Sequence, residues 1–144
     1  MNTNSPIRIL TVDDHPMLRE GIAAVLGSET DMILVAEASN GREAIDQFRN
    51  HRPDVTLMDL QMPVMNGHDA IRVIRRDFPD ARIIVLTTYS GDELAIRAFN
   101  AGASGYLIKS AVRKELIETI RSVHRGEKRI PPEIAGELGS KPNG

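Results

Sequence analysis

Arg82-Ile83-Ile84-Val85-Leu86-Thr87 is the stretch on which the fold turns. Its four central residues are all aliphatic, so no polar face is left. That pattern predicts a strand buried on both sides, as in parallel sheets. Upstream the same kind of segment recurs at Val55 to Met58, after a Pro53-Asp54 break, at Met32 to Ala36, and at Ile7 to Val12. Downstream it recurs at Gly105 to Ile108. Amphipathic segments fill the intervals. From His15 to Leu26, residues Met17, Leu18, Ile22, Val25 and Leu26 fall at helical spacing, with Gly27 and Ser28 as a stop. Asn40 is placed to cap a helix with Ala44, Ile45 and Phe48 on its apolar face. A loop from Gln61 to Gly67 precedes a third helix carrying Ala70, Ile71, Val73 and Ile74, which Pro79 closes. Further helices are predicted over about Asp92 to Asn100 and over Val112 to His124.

Five strands alternating with five helices define an α/β domain with a parallel sheet. Right-handed crossovers put helices on both faces. The expected architecture is a flavodoxin-like, doubly wound (βα)5 domain with strand order 2-1-3-4-5. Ligands of such sheets sit beyond the carboxyl ends of the strands.

The residues at those ends are polar. The first strand runs into Asp13-Asp14, the third into Asp59, the fourth into Thr87 and the fifth into Lys109. Taken singly, each has an ordinary explanation: a helix cap, a turn, a strand end, a solvated lysine. Placed together on one rim, three carboxylates repel one another unless a cation offsets them. Mg²⁺, with its preference for oxygen ligands and phosphate, fits that donor set, and Mn²⁺ is the substitute. Lys109 supplies a point charge for a phosphoryl oxygen, Thr87 a hydroxyl donor, and Asp59 a nucleophile able to form an acyl phosphate.

The motifs carrying these residues are Val12-Asp13-Asp14-His15-Pro16, Leu57-Met58-Asp59-Leu60-Gln61-Met62-Pro63 with Asn66-Gly67, Leu86-Thr87-Thr88, and Gly105-Tyr106-Leu107-Ile108-Lys109-Ser110. With them the chain resembles receiver domains of two-component response regulators from Ile7 to about Arg125. The wording Ala101-Gly102-Ala103-Ser104-Gly105-Tyr106 is similar to the NarL/FixJ branch of transcriptional regulators, which carry a LuxR-type helix-turn-helix. The resemblance implies that Asp59 is the phosphoacceptor for a sensor histidine kinase. It implies that Asp14 ligates Mg²⁺ directly, Asp13 through water, and Gln61 through its backbone carbonyl. Thr87 would be the switch hydroxyl, Lys109 the phosphoryl partner, and Tyr106 the aromatic that turns inward when the threonine moves. Such a protein is a switch rather than an enzyme: it catalyses only its own phosphotransfer and slow dephosphorylation. Phosphorylation-dependent homodimerisation is an expectation from the same analogy.

The chain departs from the common pattern in two respects. Ser110 stands where many receivers have Pro after the lysine, so no cis bond is expected there. Gln61 and Tyr89 lie two residues after Asp59 and Thr87, where the family tunes the access of water to the phosphoryl group. Pro63 is expected to stiffen its loop and Gly67 to permit a backbone turn. His15, at the helix start, is not expected to form a metal set with His51, His68 and His124, and Met58, Met62 and Met65 are expected to be packing residues.

Composition narrows the functions further. At 144 residues the chain suits one compact domain. A net charge of -2 gives no basic excess for nucleic acid, so contact with DNA is expected only through another domain. With no Cys, disulfides and thiolate metal sites are excluded, which fits a reducing cytoplasm. Met1 to Pro6 lacks an apolar signal-peptide core, and no run is long enough to span a bilayer. The receiver is assigned to residues 1–126 and an extension or linker to residues 127–144. A short helix is expected from Pro132 through Leu138, and a disordered linker over Ser140 to Gly144. The expected context is a longer regulator with a helix-turn-helix effector, or alternatively a stand-alone receiver acting by protein contacts or as a phosphate sink. A phosphatase with an aspartyl nucleophile would need a second Asp where Gln61 stands. A flavin or nucleotide site would need small or Gly-rich residues where Asp13-Asp14 stand.

Overall fold

The computed structural model describes residues 5–88 and 92–130. The elements, in order, are β1 (Ile7–Val12), α1 (Pro16–Gly27), β2 (Met32–Ala38), α2 (Gly41–His51), β3 (Val55–Asp59), α3 (Gly67–Asp77), β4 (Ile83–Thr87), α4 (Asp92–Ala101), β5 (Gly105–Ile108) and α5 (Val112–His124). The strands form one parallel sheet in the order β2-β1-β3-β4-β5, as the alternating pattern predicts.

Both faces of the sheet are covered. Ile9, Leu57, Ile84, Leu86 and Leu107 point to one side, where Ile22 and Leu26 of α1 and Leu116, Ile120 and Val123 of α5 pack on them. Leu10, Val12, Met58, Ile83 and Val85 point to the other, against Ala44, Ile45 and Phe48 of α2, Ile71 and Ile74 of α3, and Ala98 of α4. Alternate residues of each strand thus feed opposite cores, which is why Ile83-Ile84-Val85-Leu86 has no polar position. Each such fully buried aliphatic side chain contributes roughly 1.5–3 kcal/mol relative to exposure.

Several boundaries differ from expectation. Glu37 interrupts the apolar run that marks β2, but Thr11 pairs with Glu37 and Val12 with Ala38, so the strand continues. A register shift between Ile9 and Leu10 accommodates the longer partner. β3 takes in Asp59 itself, and a 3₁₀ turn over Lys109–Ala111 separates β5 from α5. No cis peptide occurs among the described residues, so the absence of Pro after Lys109 carries no anomaly.

Helix starts are fixed by side chains. Asn40 accepts from the Glu43 amide at 2.9 Å, and Glu43 Oε1 reaches back to the Ser39 amide at 2.8 Å. Asn66 accepts from the Asp69 amide at 2.9 Å and fixes the start of α3 beside the site. After α5 the chain turns through Gly126 (φ 95) and returns to the sheet. The Arg129 amide donates to the Ser104 carbonyl at 2.9 Å, forming a parallel bridge with Gly105. The first residues of the expected extension therefore pack on the β5 edge. The helix expected over Pro132 to Leu138 and the Ser140–Gly144 linker lie outside the described residues, as does Tyr89.

Candidate functional site

Strand register brings the polar residues together. Val12 pairs with Met58, Asp59 with Leu86, and Thr87 with Ile108. Moving across β1, β3, β4 and β5, each strand contributes its last residue or the next one to the same rim. Asp13 is fully buried, Asp59 is 3% exposed and Thr87 is 2% exposed, while Asp14 is half-buried. The 3₁₀ turn after β5 directs Lys109 back over the strand ends.

The Lys109 ammonium stands 3.0 Å from Asp13 Oδ2 and 3.2 Å from Asp59 Oδ2, within ion-pairing distance. Neither oxygen has an aligned hydrogen-bond donor, and Asp14 Oδ1 is likewise buried without one. Burial pushes the Asp59 carboxyl above the ordinary carboxylate range; the Asp13 charge adds to this and Lys109 opposes it. For Lys109, burial acts to lower the ammonium's pKa, but the Asp13 and Asp59 carboxylates outweigh it and the net shift is upward. The lysine therefore remains charged, and its one ammonium pairs with two of the three clustered carboxylates.

Buried acceptor atoms without donors are costly unless something else satisfies them. One ligand atom each from Asp13, Asp14, His15 and Asp59 lies within 4.8 Å of the others. An oxygen-rich, negatively charged, underdonated cluster of this kind fits a divalent cation. Asp13, Asp14 and Asp59, three of the groups expected to hold Mg²⁺, lie together in this cluster. Gln61 enters from the loop after β3, its amide 3.4 Å from Asp59 Oδ1.

That loop is clamped from both sides. The Gly41 amide donates to the Met65 carbonyl at 2.9 Å, and the Gly67 amide to the Leu60 carbonyl at 2.9 Å. Between them Met65 N donates to Pro63 O at 2.7 Å around Val64, which has φ 70 and is 82% exposed. This is a tight γ-turn with a β-branched residue at positive φ. Gly67 has a different role from the one expected. Its backbone angle is ordinary, but a Cβ there would lie 2.2 Å from the Asp59 carbonyl oxygen and 2.9 Å from Leu60 Cα. The helix α3 starts hard against the Asp59 backbone, and only glycine fits.

Tyr106 is 8% exposed and belongs to the core with Ala95, Ala98 and Ala103.

Two residues make contacts that the sequence did not specify. His15, a helix-start residue expected to abut the pocket, places Nδ1 2.9 Å from Asp13 Oδ1 and 3.2 Å from Asp14 Oδ1. Its place beside Asp13-Asp14 was the available signal. Arg19 donates to the Asp13 carbonyl and pairs with Glu37 at 3.0 Å. No local spacing marks it, because the contact depends on β2 running past Ala36. The remaining histidines are scattered as expected. His68 is buried at the foot of α3, its pKa pushed down first by burial and then by Arg97. Met58, Met62 and Met65 pack on the core.

Comparison with known proteins agrees with this geometry. Residues 9–121 match the family model of the response regulator receiver domain. The response regulator GacA of Pseudomonas viridiflava is 38% identical over 135 residues, covering 94% of this chain and 63% of the relative. The transcriptional regulatory protein LnrK of Bacillus subtilis is 34% identical over 132 residues, covering 92% of this chain and 60% of the relative. A solved two-component response regulator of the LuxR family, from Aurantimonas sp. SI85-9A1, superposes with TM-score 0.86 at 38% identity, covering 97% of this chain and 100% of that one. The chain spans roughly three fifths of the length of these curated relatives.

Proposed function

The chain belongs to the response-regulator receiver family, in its LuxR/NarL-type branch, and from that premise we propose that Asp59 accepts a phosphoryl group from a sensor kinase's phosphohistidine. The observation that carries the reading is the buried Asp59 carboxylate beside Asp13, the two sharing one Lys109 ammonium.

An Asp59 carboxylate oxygen attacks phosphorus as the P–N bond breaks, and the departing imidazole nitrogen keeps the electron pair and takes a proton. Asp13, Asp14, Asp59 and the Gln61 carbonyl would hold a divalent cation, which when bound would neutralise charge on the incoming phosphoryl oxygens. Lys109, beside the acceptor, pairs with a phosphoryl oxygen, and the Thr87 hydroxyl donates to the phosphoryl group as well. Phosphorylation adds roughly -1.5 to -2 charges and three acceptor oxygens. Drawing Thr87 toward them fixes the end of β4. Tyr106, on the neighbouring β5 and packed against α4, is the aromatic that turns inward as Thr87 moves. The face built by α4, β5 and α5 is the output, and homodimerisation through it is part of the proposal.

The catalysis is confined to the chain's own phosphotransfer and slow dephosphorylation. The place of action is the cytoplasm; among the described residues no helix is long and apolar enough to cross a membrane. Transcriptional control through a helix-turn-helix domain outside this chain is supported by the greater length of the relatives and by the name of LnrK. Intact-mass measurement after incubation with Mg²⁺ and acetyl phosphate tests the assignment. The unaltered chain gains one phosphoryl group and Asp59→Asn gains none. Equal labelling of the variant would remove Asp59 from the role.

A further inference from the structure

We infer that His15 gives the acidic pocket a second mode of cation binding, in which its imidazole joins Asp13 and Asp14 around a borderline transition-metal ion such as Zn²⁺. The inference rests on the pocket being a cation site and adds a nitrogen ligand to it.

The geometry is that of neighbouring ligands. Two donor atoms at right angles around an ion with bonds of about 2.1 Å are about 3.0 Å apart, and tetrahedral ligands slightly farther. His15 Nδ1 lies 2.9 Å from Asp13 Oδ1, in a hydrogen bond that an entering ion would replace, and 3.2 Å from Asp14 Oδ1. The backbone holds the group there: the His15 amide donates to Asp13 Oδ1 at 2.8 Å, and His15 is the residue preceding α1, which Pro16 opens. Asp14 Oδ1, which the imidazole faces, is a buried oxygen without an aligned donor, while Asp13 Oδ2 and Asp59 Oδ2 are turned to the Lys109 ammonium. The imidazole side chain is 65% exposed, so the site opens to solvent and a cation can enter without disturbing the core.

The chemistry separates two classes of ion. Mg²⁺ takes oxygen ligands and gains little from an imidazole. Zn²⁺ binds imidazole and carboxylate together and stands far above Mg²⁺ in affinity for mixed nitrogen and oxygen sites. A pocket with oxygen ligands alone would show a smaller preference. With His15 present, Zn²⁺ competes with the cation that phosphorylation needs, so the residue sets which metal the switch holds.

The test uses the whole chain and the metals alone. Zn²⁺ and Mg²⁺ affinities are measured by calorimetry for the unaltered protein, His15→Gln and Asp14→Asn, and imidazole resonances are followed by NMR as Zn²⁺ is added. In His15→Gln the ratio of Zn²⁺ to Mg²⁺ affinity should fall about 10- to 100-fold. Asp14→Asn should weaken both ions. In the unaltered protein the His15 ring should shift first, with His51, His68 and His124 as internal controls. An unchanged ratio in His15→Gln, or early shifts confined to the other three histidines, overturns the proposal and leaves the Mg²⁺ pocket standing. Failure of the unaltered chain to bind either ion would instead remove the pocket reading beneath it.

Discussion

Replacing Gly67 by Ala probes how tightly the fold sets the position of the phosphoacceptor. The new methyl would lie 2.2 Å from the Asp59 carbonyl oxygen and 2.9 Å from Leu60 Cα. Both obstacles are backbone, so no side chain can swing away. Bringing the first contact out to an ordinary van der Waals separation requires a shift of about 1 Å between α3 and the end of β3. The Gly67 amide also donates to the Leu60 carbonyl at 2.9 Å, so the same shift weakens that bond. Overpacking of this kind typically costs about 1–3 kcal/mol. A displacement of about 1 Å at a reacting group can cost about 100-fold in rate. Gly67→Ala should therefore lower the urea midpoint and slow acetyl-phosphate labelling of Asp59 by one to two orders of magnitude, by roughly the factor that such a misplacement carries. Gly21→Ala is the matched control: it lies within α1 and a Cβ there meets nothing within 4 Å. It should stabilise the protein by about 0.4–1 kcal/mol, with labelling unchanged. Wild-type stability and labelling in Gly67→Ala would refute the argument that α3 abuts the Asp59 backbone.

Three further outcomes are expected. Because burial and Asp13 raise the Asp59 pKa in the folded state, the unfolded chain loses that proton first as pH rises, so ionising Asp59 lowers stability. Asp59→Asn should then be more stable than wild type at neutral pH without metal, with the gain shrinking as pH falls toward the unfolded carboxylate value of about 4; thermal melts at several pH values check this, and an acid-independent difference would contradict it. Mg²⁺ should raise the wild-type melting temperature more than that of Asp14→Asn, since ligand binding stabilises only the folded site; equal shifts in the two proteins would count against Asp14 as a ligand. Val64 is exposed with φ 70, so Val64→Gly should stabilise by up to about 1 kcal/mol, measured by urea unfolding, and a clear loss would show that the side chain does more than project into solvent.

The order of the elements was legible because each strand is marked by its own chemistry. Ile83 to Leu86 has no polar position, since both neighbouring layers are cores. The rim residues were legible because a parallel sheet aligns its strand ends, and the observed pairings place Asp13, Asp59, Thr87 and Lys109 side by side. What escaped depends on contacts that local sequence does not encode. Glu37 resembles the end of a strand until Thr11 is seen beside it. Gly67 invites an argument about backbone angles, whereas its reason is the distance to Asp59. Tyr106 is buried because Ala95, Ala98 and Ala103 leave room for its ring, and no single-strand pattern reports the size of residues on α4 and the turn beyond it. The 3₁₀ turn that aims Lys109 was hidden because its residues carry no turn signature.

The account stands or falls on where phosphate becomes attached. Acetyl phosphate and Mg²⁺ are added to the chain, the acyl phosphate is reduced with borohydride, and the peptides are mapped by mass spectrometry. Conversion of Asp59 alone to homoserine is the predicted result, and it should vanish when the divalent metal is chelated. Reduction at Asp13, Asp14 or elsewhere, or equal conversion without metal, would contradict it.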